Sequence, residues 1–589
     1  MHHLTRGAIF AHLDPCHRPF YIYGLRSSLS PPVRYSSIMD SSTLFVSLVA
    51  LPLGLLALRT VYHLYFHPLS RFPGPKLAAA TSLYEFYYDV IKSGMYIWEI
   101  ERMHEKYGPI VRISPHEIHI KDSNYYDEIH AGASRKRSKD PRYAIAFGAP
   151  YSLVGTITHD HHRFRRGLLS NYFSKRSVVD LGPSIDDKVE KLIARFDQTY
   201  HSGEVLHLHL DFAALTADVI TDYCYGWSYG YLETGKGSRS NDLVDAVNGL
   251  MVMFHINRFF PFLITIFRNT SPTLLRWLQP QMADLFNLKA RLRQQASDTL
   301  QKQSLRKIDS EARPTIFDAL TNLELPESER TLDRLEDESA LLLGAGTETT
   351  ARSITVAMFH LINNKEIMAK LRTELKTVLP TPRSKASWVD LEQLPYLTGV
   401  VNEGLRLSHG MTARLARVSP TEPMLYQDWT IPAGVSQWYR FTGCNLPMRL
   451  MGVKSDGGSK AGSPFLEKVA DYCISQTPVS QSNYFVHMDP TLFPEPNKFD
   501  PERWIRAAEK GEYLSRYIVS FTKGSRQCLG MNLAYAEIYL SLAHIARRID
   551  FALHQTTADN ICVYRDMGIG CPEVGLFGVR ATVEGLIKE

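Results

Sequence analysis

A short run near the C-terminus reads Phe521-Thr522-Lys523-Gly524-Ser525-Arg526-Gln527-Cys528-Leu529-Gly530, and the apolar helical stretch Met531–Ala546 follows it. A thiolate that ligates iron needs backbone donors around its sulfur. The glycines permit the tight loop that supplies them. Gly530 lets the backbone pass close to a flat cofactor. Arg526 is placed to pair with an anionic propionate of such a group. A lone cysteine at a helix start is ordinarily an inert core residue. Here a phenylalanine, two glycines and an arginine stand at fixed offsets from it.

Upstream, Leu341–Ile354 reads as helix and contains Ala345, Gly346, Glu348 and Thr349. The small residues Ala345 and Gly346 would thin the helix wall beside a planar cofactor. Thr349 offers a hydroxyl that can hydrogen-bond dioxygen or water. Glu348 can relay protons, and splitting an O–O bond consumes two of them. The bland alternative is an exposed Glu beside a self-capping Ser/Thr turn. Glu403 and Arg406 lie three apart on one helix face, a spacing that also suits a surface ion pair of little value. His162, Arg163, Arg165 and Arg166 crowd one turn, which alone fits a solvated basic face.

Taken in order, these segments resemble the cytochrome P450 superfamily. The cysteine run is similar to its haem-binding loop, and Ala345–Thr350 to its acid–alcohol motif. Glu403–Arg406 resembles the ExxR helix, Pro501–Trp504 the PERW element, and His162 with Arg166 the W/HxxxR pair. The resemblance implies haem b with Cys528 as the axial ligand. It implies cofactor contacts at His162, Arg166, Ala345, Gly346, Arg417, Phe521, Gly524, Arg526 and Gly530. It makes Glu348 and Thr349 catalytic, and Glu403, Arg406 and Arg503 a buried structural triad. The substrate wall would come from Tyr143–Tyr151, the first half of the Glu348 helix, Gly410–Leu415 and Met567–Leu576. These segments are mostly apolar, which suits a lipophilic substrate.

The elements that must position these residues are mostly helical. Helical patterns dominate from about Leu77, with a strand-like pair at Ile110–Ser114 and Glu117–Ile120 split by Pro115. Past residue 410 short strands and turns take over. The expected fold class is mainly α (α+β): a P450 fold with small β-sheets plus one N-terminal transmembrane helix. Residues 42–65 carry an apolar run that reads as the anchor, with Arg59 snorkelling. The catalytic domain would span 66–589. Arg59, Arg71 and Lys76 follow the span, so the positive-inside rule puts that domain in the cytoplasm, on the endoplasmic reticulum membrane. Residues 1–38 lack periodicity, and Met39 would make a natural start. They are expected to be a non-native or disordered extension.

The 44% hydrophobic and 22% charged content is globular, and the net charge of +5 is mild. No basic tract with interleaved aromatics argues for nucleic acid. Seven cysteines with no CxxC pair suggest neither zinc nor a disulfide framework. One stretch breaks the family pattern. Joining Gly434 to Thr477 restores it, and 435–476 reads as an insertion or a translated, unspliced intron. Val435-Ser436-Gln437 can be encoded by a donor-like splice sequence and Gln476 by an acceptor-like CAG. The alternative is a surface loop insertion, which folds tolerate.

The implied function is hydroxylation or epoxidation of a lipophilic secondary-metabolite intermediate, terpenoid or polyketide. Dioxygen and electrons from an NADPH–cytochrome P450 reductase would be consumed. Tyr65–Lys76 and Ser520–Ala536 most resemble fungal enzymes of the trichodiene oxygenase group. The alternatives are a P450-fold isomerase or dehydratase, and a non-catalytic haem-binding product made inert by the insertion.

Overall fold

The computed structural model describes residues 41–233, 242–278, 283–305, 315–433, 477–573 and 578–587. The expectations for 1–38 and 435–476, and the 574–576 part of the substrate wall, lie outside these residues. The chain divides into two units, Met1–Leu58 and Arg59–Glu589. The architecture is mainly helical with four small sheets.

The apolar run near the N-terminus forms helix α1 (Ser41–Val61), continued by a π-helical turn to Phe66. Leu51, Leu53, Leu55, Leu56 and Leu58 are exposed on it. Among the described residues no helix is long and apolar enough to cross a membrane. The expected 42–65 transmembrane helix is thus corrected to a helix with exposed leucines. Pro52 and Arg59 interrupt its apolar character.

Six further helices build the site: α2 (His159–Ser170), α3 (Lys175–Ser202), α4 (Leu208–Tyr225), α5 (Asp242–Phe259), α6 (Leu332–Asn363) and α7 (Pro395–Ser408). A seventh, α8 (Met531–Arg548), carries the chain away from the cysteine loop. Their ends follow from local chemistry. Ser174 and Thr331 accept backbone N–H groups as N-caps of α3 and α6, and Gly203 closes α3 in the left-handed region. Gly344-Ala345-Gly346 does not interrupt α6, which runs through it unbroken. Packing of α6 against α4 overrides the weak helix propensity of glycine there. Nearly every side chain of α4 is buried, so this pair forms the centre of the core.

A five-stranded sheet lies at one edge of the fold. Its strands are β1 (Ile110–Arg112), β2 (Ile118–Ile120), β3 (Ser138–Lys139), β4 (Arg417–Val418) and β5 (Pro478–Ser480), in the order β1-β2-β5-β4-β3. The expected pair around Pro115 is the antiparallel β1–β2 hairpin. In the β3–β4 pairing Lys139 stands directly opposite Arg417. Like charges in that relation are destabilising unless something anionic lies beside them.

Candidate active site

The cysteine loop is pinned from inside and outside. Cys528 N donates to Phe521 O at 2.8 Å, Gln527 N to Gly524 O at 3.1 Å, and Ser525 N to Ala131 O at 3.1 Å. Gly524 has φ +71°, and a Cβ there would lie 2.0 Å from the His130 carbonyl oxygen. Only glycine fits. Phe521 packs on Tyr535 of α8 with ring centroids 5.1 Å apart. Cys528 is exposed, but into a cavity of about 350 Å³ rather than to bulk water. Burial pushes its thiol up, while the Gly530 backbone and the Arg166 guanidinium pull it down.

Gly530 lines the same cavity, and a Cβ there would meet no protein atom within 4 Å. The protein's own packing does not require that glycine. Helix α6 also lines the cavity with Ala345 and Thr349, whose hydroxyl donates to Ala345 O at 2.7 Å. Gly346 lines the cavity too, and the structure adds a second constraint there. A Cβ there would press to 2.9 Å from Ile220 of α4, so the missing side chain serves helix packing. Glu348 is buried, with one carboxylate oxygen 3.2 Å from His209 Nε2 on α4. The α4 partner was not expected, because residues 139 apart in sequence announce no contact.

One end of the cavity is cationic. His162 and Arg166, one turn apart on α2, line it with Lys139, Arg417 and Arg526. Arg166 donates to Gln527 O at 2.6 Å. Arg526 donates to the carbonyls of Arg137, Thr156 and Ile157 at 3.1, 2.9 and 2.6 Å. Arg417 donates to Leu415 O and Ala416 O. Among the described residues none of these five side chains pairs with a carboxylate. Burial holds the Arg417 guanidinium down to about 10, and burial with Arg417 beside it holds Arg526 down to about 9. His162 is lowered too, by burial and then by Arg526, Lys139, Arg166 and Arg417. Buried cations without counterions mark a site shaped for an anion. Lys139 went unnoticed in sequence, since Arg135–Lys139 reads as one basic loop. By contrast Arg165 and His161 turn away and share Glu329.

Glu403 and Arg406 of α7 are wholly buried and paired at 2.7 Å. Arg503 Nε lies 3.3 Å from Glu403, which also accepts from Trp504 Nε1 and Asp500 N. Arg406 further donates to the carbonyls of His487 and Lys498. The apolar wall comes from the expected segments, with Phe147, Gly410, Leu415 and Met567 all lining the cavity. Val247, Leu250, Met251 and Phe254 of α5 join them. The run Val247–Phe254 is apolar with little periodicity, which was the available signal for a helix buried on one face and facing a ligand on another.

The sequence model described as Cytochrome P450 matches residues 84–436 and 468–576. The chain belongs to the cytochrome P450 family. It is similar over most of its length to several curated P450s. It is 44% identical to conidiogenone synthase PchP450 of Penicillium rubens, over 89% of this chain and 96% of that protein. It is 41% identical to cytochrome P450 monooxygenase aflU of Aspergillus parasiticus, over 93% and 100%. It is also 41% identical to cytochrome P450 monooxygenase TRI4 of Fusarium sporotrichioides, over 85% and 87%. The chain is a P450 monooxygenase of the kind found in fungal secondary metabolism, and its cofactor is haem b with an iron–thiolate bond. Such enzymes use dioxygen, a lipophilic substrate and a redox partner. The cavity fits the cofactor: a sulfur on one wall, a glycine facing open space, and unpaired cations where two propionates would lie. When bound, the haem supplies the activation of dioxygen. The residues lining the cavity would hold it.

Proposed function

We propose that this P450 hydroxylates or epoxidises a terpenoid intermediate of secondary metabolism, with electrons from an NADPH–cytochrome P450 reductase. Cys528 would bind the iron, and His162, Arg166, Arg417 and Arg526 the propionates. Glu348 and Thr349 would deliver protons. The observation that carries the reading is the cavity itself, lined by a cysteine, cations without carboxylate partners, and the apolar Phe147, Leu250, Met251, Phe254 and Leu415. An apolar wall with few polar groups orients a hydrocarbon by shape and leaves oxidation to the cofactor. Polyketides are the other class that such a wall accepts. The exposed leucines of α1 suit an interfacial anchor on the endoplasmic reticulum membrane, with the catalytic domain on its cytoplasmic side. Carbonate extraction of the protein with and without residues 1–61 tests that placement.

A second reading concerns 435–476. The family match pauses between residues 436 and 468, which supports treating this stretch as an insertion or unspliced intron. Both readings meet in one experiment. The carbon monoxide difference spectrum of the reduced protein is recorded with and without residues 435–476. A long-wavelength thiolate-type band in both forms supports Cys528 ligation and a tolerated loop. A band in the deleted form alone marks the longer chain as inert. No band in either defeats the site assignment. Turnover of trichodiene as a probe hydrocarbon, with reductase and NADPH, then tests the terpenoid class.

A further inference from the structure

His63, His67 and His116 converge at a place that none of the cavity's lining residues reaches. One ring nitrogen from each lies within 4.8 Å of the others. Ring centroids are 5.0 Å apart for His63 and His116, 5.4 Å for His63 and His67, and 5.7 Å for His67 and His116. Among the described residues no other three histidine, cysteine or carboxylate side chains meet in this way. His63 and His67 are 1% and 4% exposed, and His116 is half-buried. His63 Nδ1 is buried with no hydrogen-bond partner. The rings come from two segments. His63 lies in the π-helical turn after α1, and His67 ends that turn, its N–H donating to Tyr62 O at 2.8 Å. Four residues apart is the spacing that brings two imidazoles to one helical face. His116 follows Pro115 in the turn between β1 and β2. Arg112 of β1 joins the segments, donating from Nη1 to His63 O at 2.9 Å and from Nη2 to Pro115 O at 2.8 Å. One buried guanidinium thus fixes the backbone at His63 and beside His116, the preorganisation that a ligand set needs.

A buried histidine is more often a hydrogen-bonded core residue than a ligand. Here the hydrogen bonds are long. Arg59 Nε donates to His63 Nε2 at 3.3 Å, and Leu69 N to His67 Nδ1 at 3.1 Å. Each holds a lone pair that a metal ion could take. Burial, then Arg112 and His63, holds His67 down to about 3, and burial lowers His116 as well. At neutral pH no added proton competes for their nitrogens. We propose that His63, His67 and His116 form a zinc site, with water in the fourth position, that staples the turn after α1 to the β1–β2 hairpin. Zinc takes imidazole nitrogens at about 2.0–2.1 Å in a tetrahedron, which sets them about 3.3–3.4 Å apart, so the rings close by at most about 1.5 Å. Other divalent ions also accept imidazole, but zinc asks for no square plane and tolerates three converging rings best. Binding exchanges the Arg59 and Leu69 bonds for the metal. Arg59 is exposed and can swing into solvent, which relieves its repulsion of the ion. The staple does not depend on the monooxygenase reading.

The test uses the untagged, haem-loaded full chain, stripped of metal by a chelator and dialysed against buffered zinc. Bound zinc is counted by mass spectrometry, and X-ray absorption at the zinc edge reads its ligands. Wild type should show three imidazole nitrogens and one oxygen. His116→Gln should weaken binding at least about 100-fold, since losing a direct ligand costs no less than losing an outer partner. Arg59→Gln removes a cation and a competing hydrogen bond, so it should tighten binding about ten-fold. A misfolded variant cannot imitate that gain. None of these side chains lines the haem cavity, so the carbon monoxide band should be the same in every variant. Zinc should also slow amide hydrogen exchange around His63–His67 and the β1–β2 turn in wild type, and leave it unchanged in His116→Gln. Equal zinc binding by wild type and His116→Gln would place the ion elsewhere and overturn the proposal. Weaker binding by Arg59→Gln would overturn it too, as would zinc that binds without slowing exchange in either segment.

Discussion

The enzyme holds two clusters of buried arginines, and only one of them contains a carboxylate. Around Glu403, the guanidinium groups of Arg406 and Arg503 share a buried carboxylate and a set of carbonyls. Around the main cavity, Arg417, Arg526, Arg166, His162 and Lys139 have carbonyls but no carboxylate among the described residues. Burying a charge is costly in both places. The first cluster meets that cost with its own residues, so it is architecture. The second leaves it unmet by its own residues, the condition of a site shaped for an anion. Charge balance, rather than burial or residue type, separates the two roles.

The comparison breaks most sharply at Arg406. Arg406→Ala leaves Glu403 charged and buried, and such losses cost about 3–5 kcal/mol. Little folded protein is expected, with or without haem, as read by soluble yield and urea denaturation. Arg417→Ala should behave in the opposite way. Removing one cation from a like-charged group should leave the haem-free protein at least as stable. Haem loss to a scavenger should quicken about 10- to 100-fold, since a charge-assisted hydrogen bond contributes about 1.5–3 kcal/mol. If Arg417→Ala unfolds the haem-free chain, the cluster is architecture after all.

Two glycines sharpen the same contrast within ten residues of each other. Gly524→Ala drives a Cβ into the His130 and Ala131 carbonyls in a left-handed conformation. It should destabilise the protein by about 1–3 kcal/mol whether or not haem is bound. Gly530→Ala meets open space. Haem-free stability should stay within about 0.5 kcal/mol, while haem occupancy falls. Urea midpoints and the absorbance ratio of haem to protein separate the two.

The smallest effect is a pH dependence. His162 is held below its ordinary value by burial and by the surrounding cations. A base whose folded pKa is depressed takes up its proton less readily when folded. The haem-free protein should therefore lose stability as pH falls below about 6.5, the ordinary histidine value. His162→Gln should remove part of that loss, and bound propionates should reduce it too. Equal acid sensitivity in wild type and variant would show that the cations do not govern His162.

Much of the site was legible because local backbone chemistry fixes it. The cysteine loop needs glycine at 524, a β1–β2 hairpin forms around Pro115, and Glu403 with Arg406 share one helix face. Other parts were not. Gly346 lines the cavity, but its close approach to Ile220 across the helix pair left no mark in the sequence. The α5 wall carried no motif, because apolar ligand contact and apolar core have the same composition. The anchor read from hydropathy became a helix that no described segment makes long and apolar enough to span a membrane.

What the sequence determined by itself is the family and the cofactor, since each motif that carries them is a short run of neighbouring residues. What only the tertiary structure decided is which charges are compensated. Lys139 faces Arg417 across two strands, Glu348 meets His209 across two helices, and Arg165 leaves the cavity for Glu329. Electrostatic energy depends on distance and burial, and neither is a property of sequence spacing once the partners lie tens of residues apart.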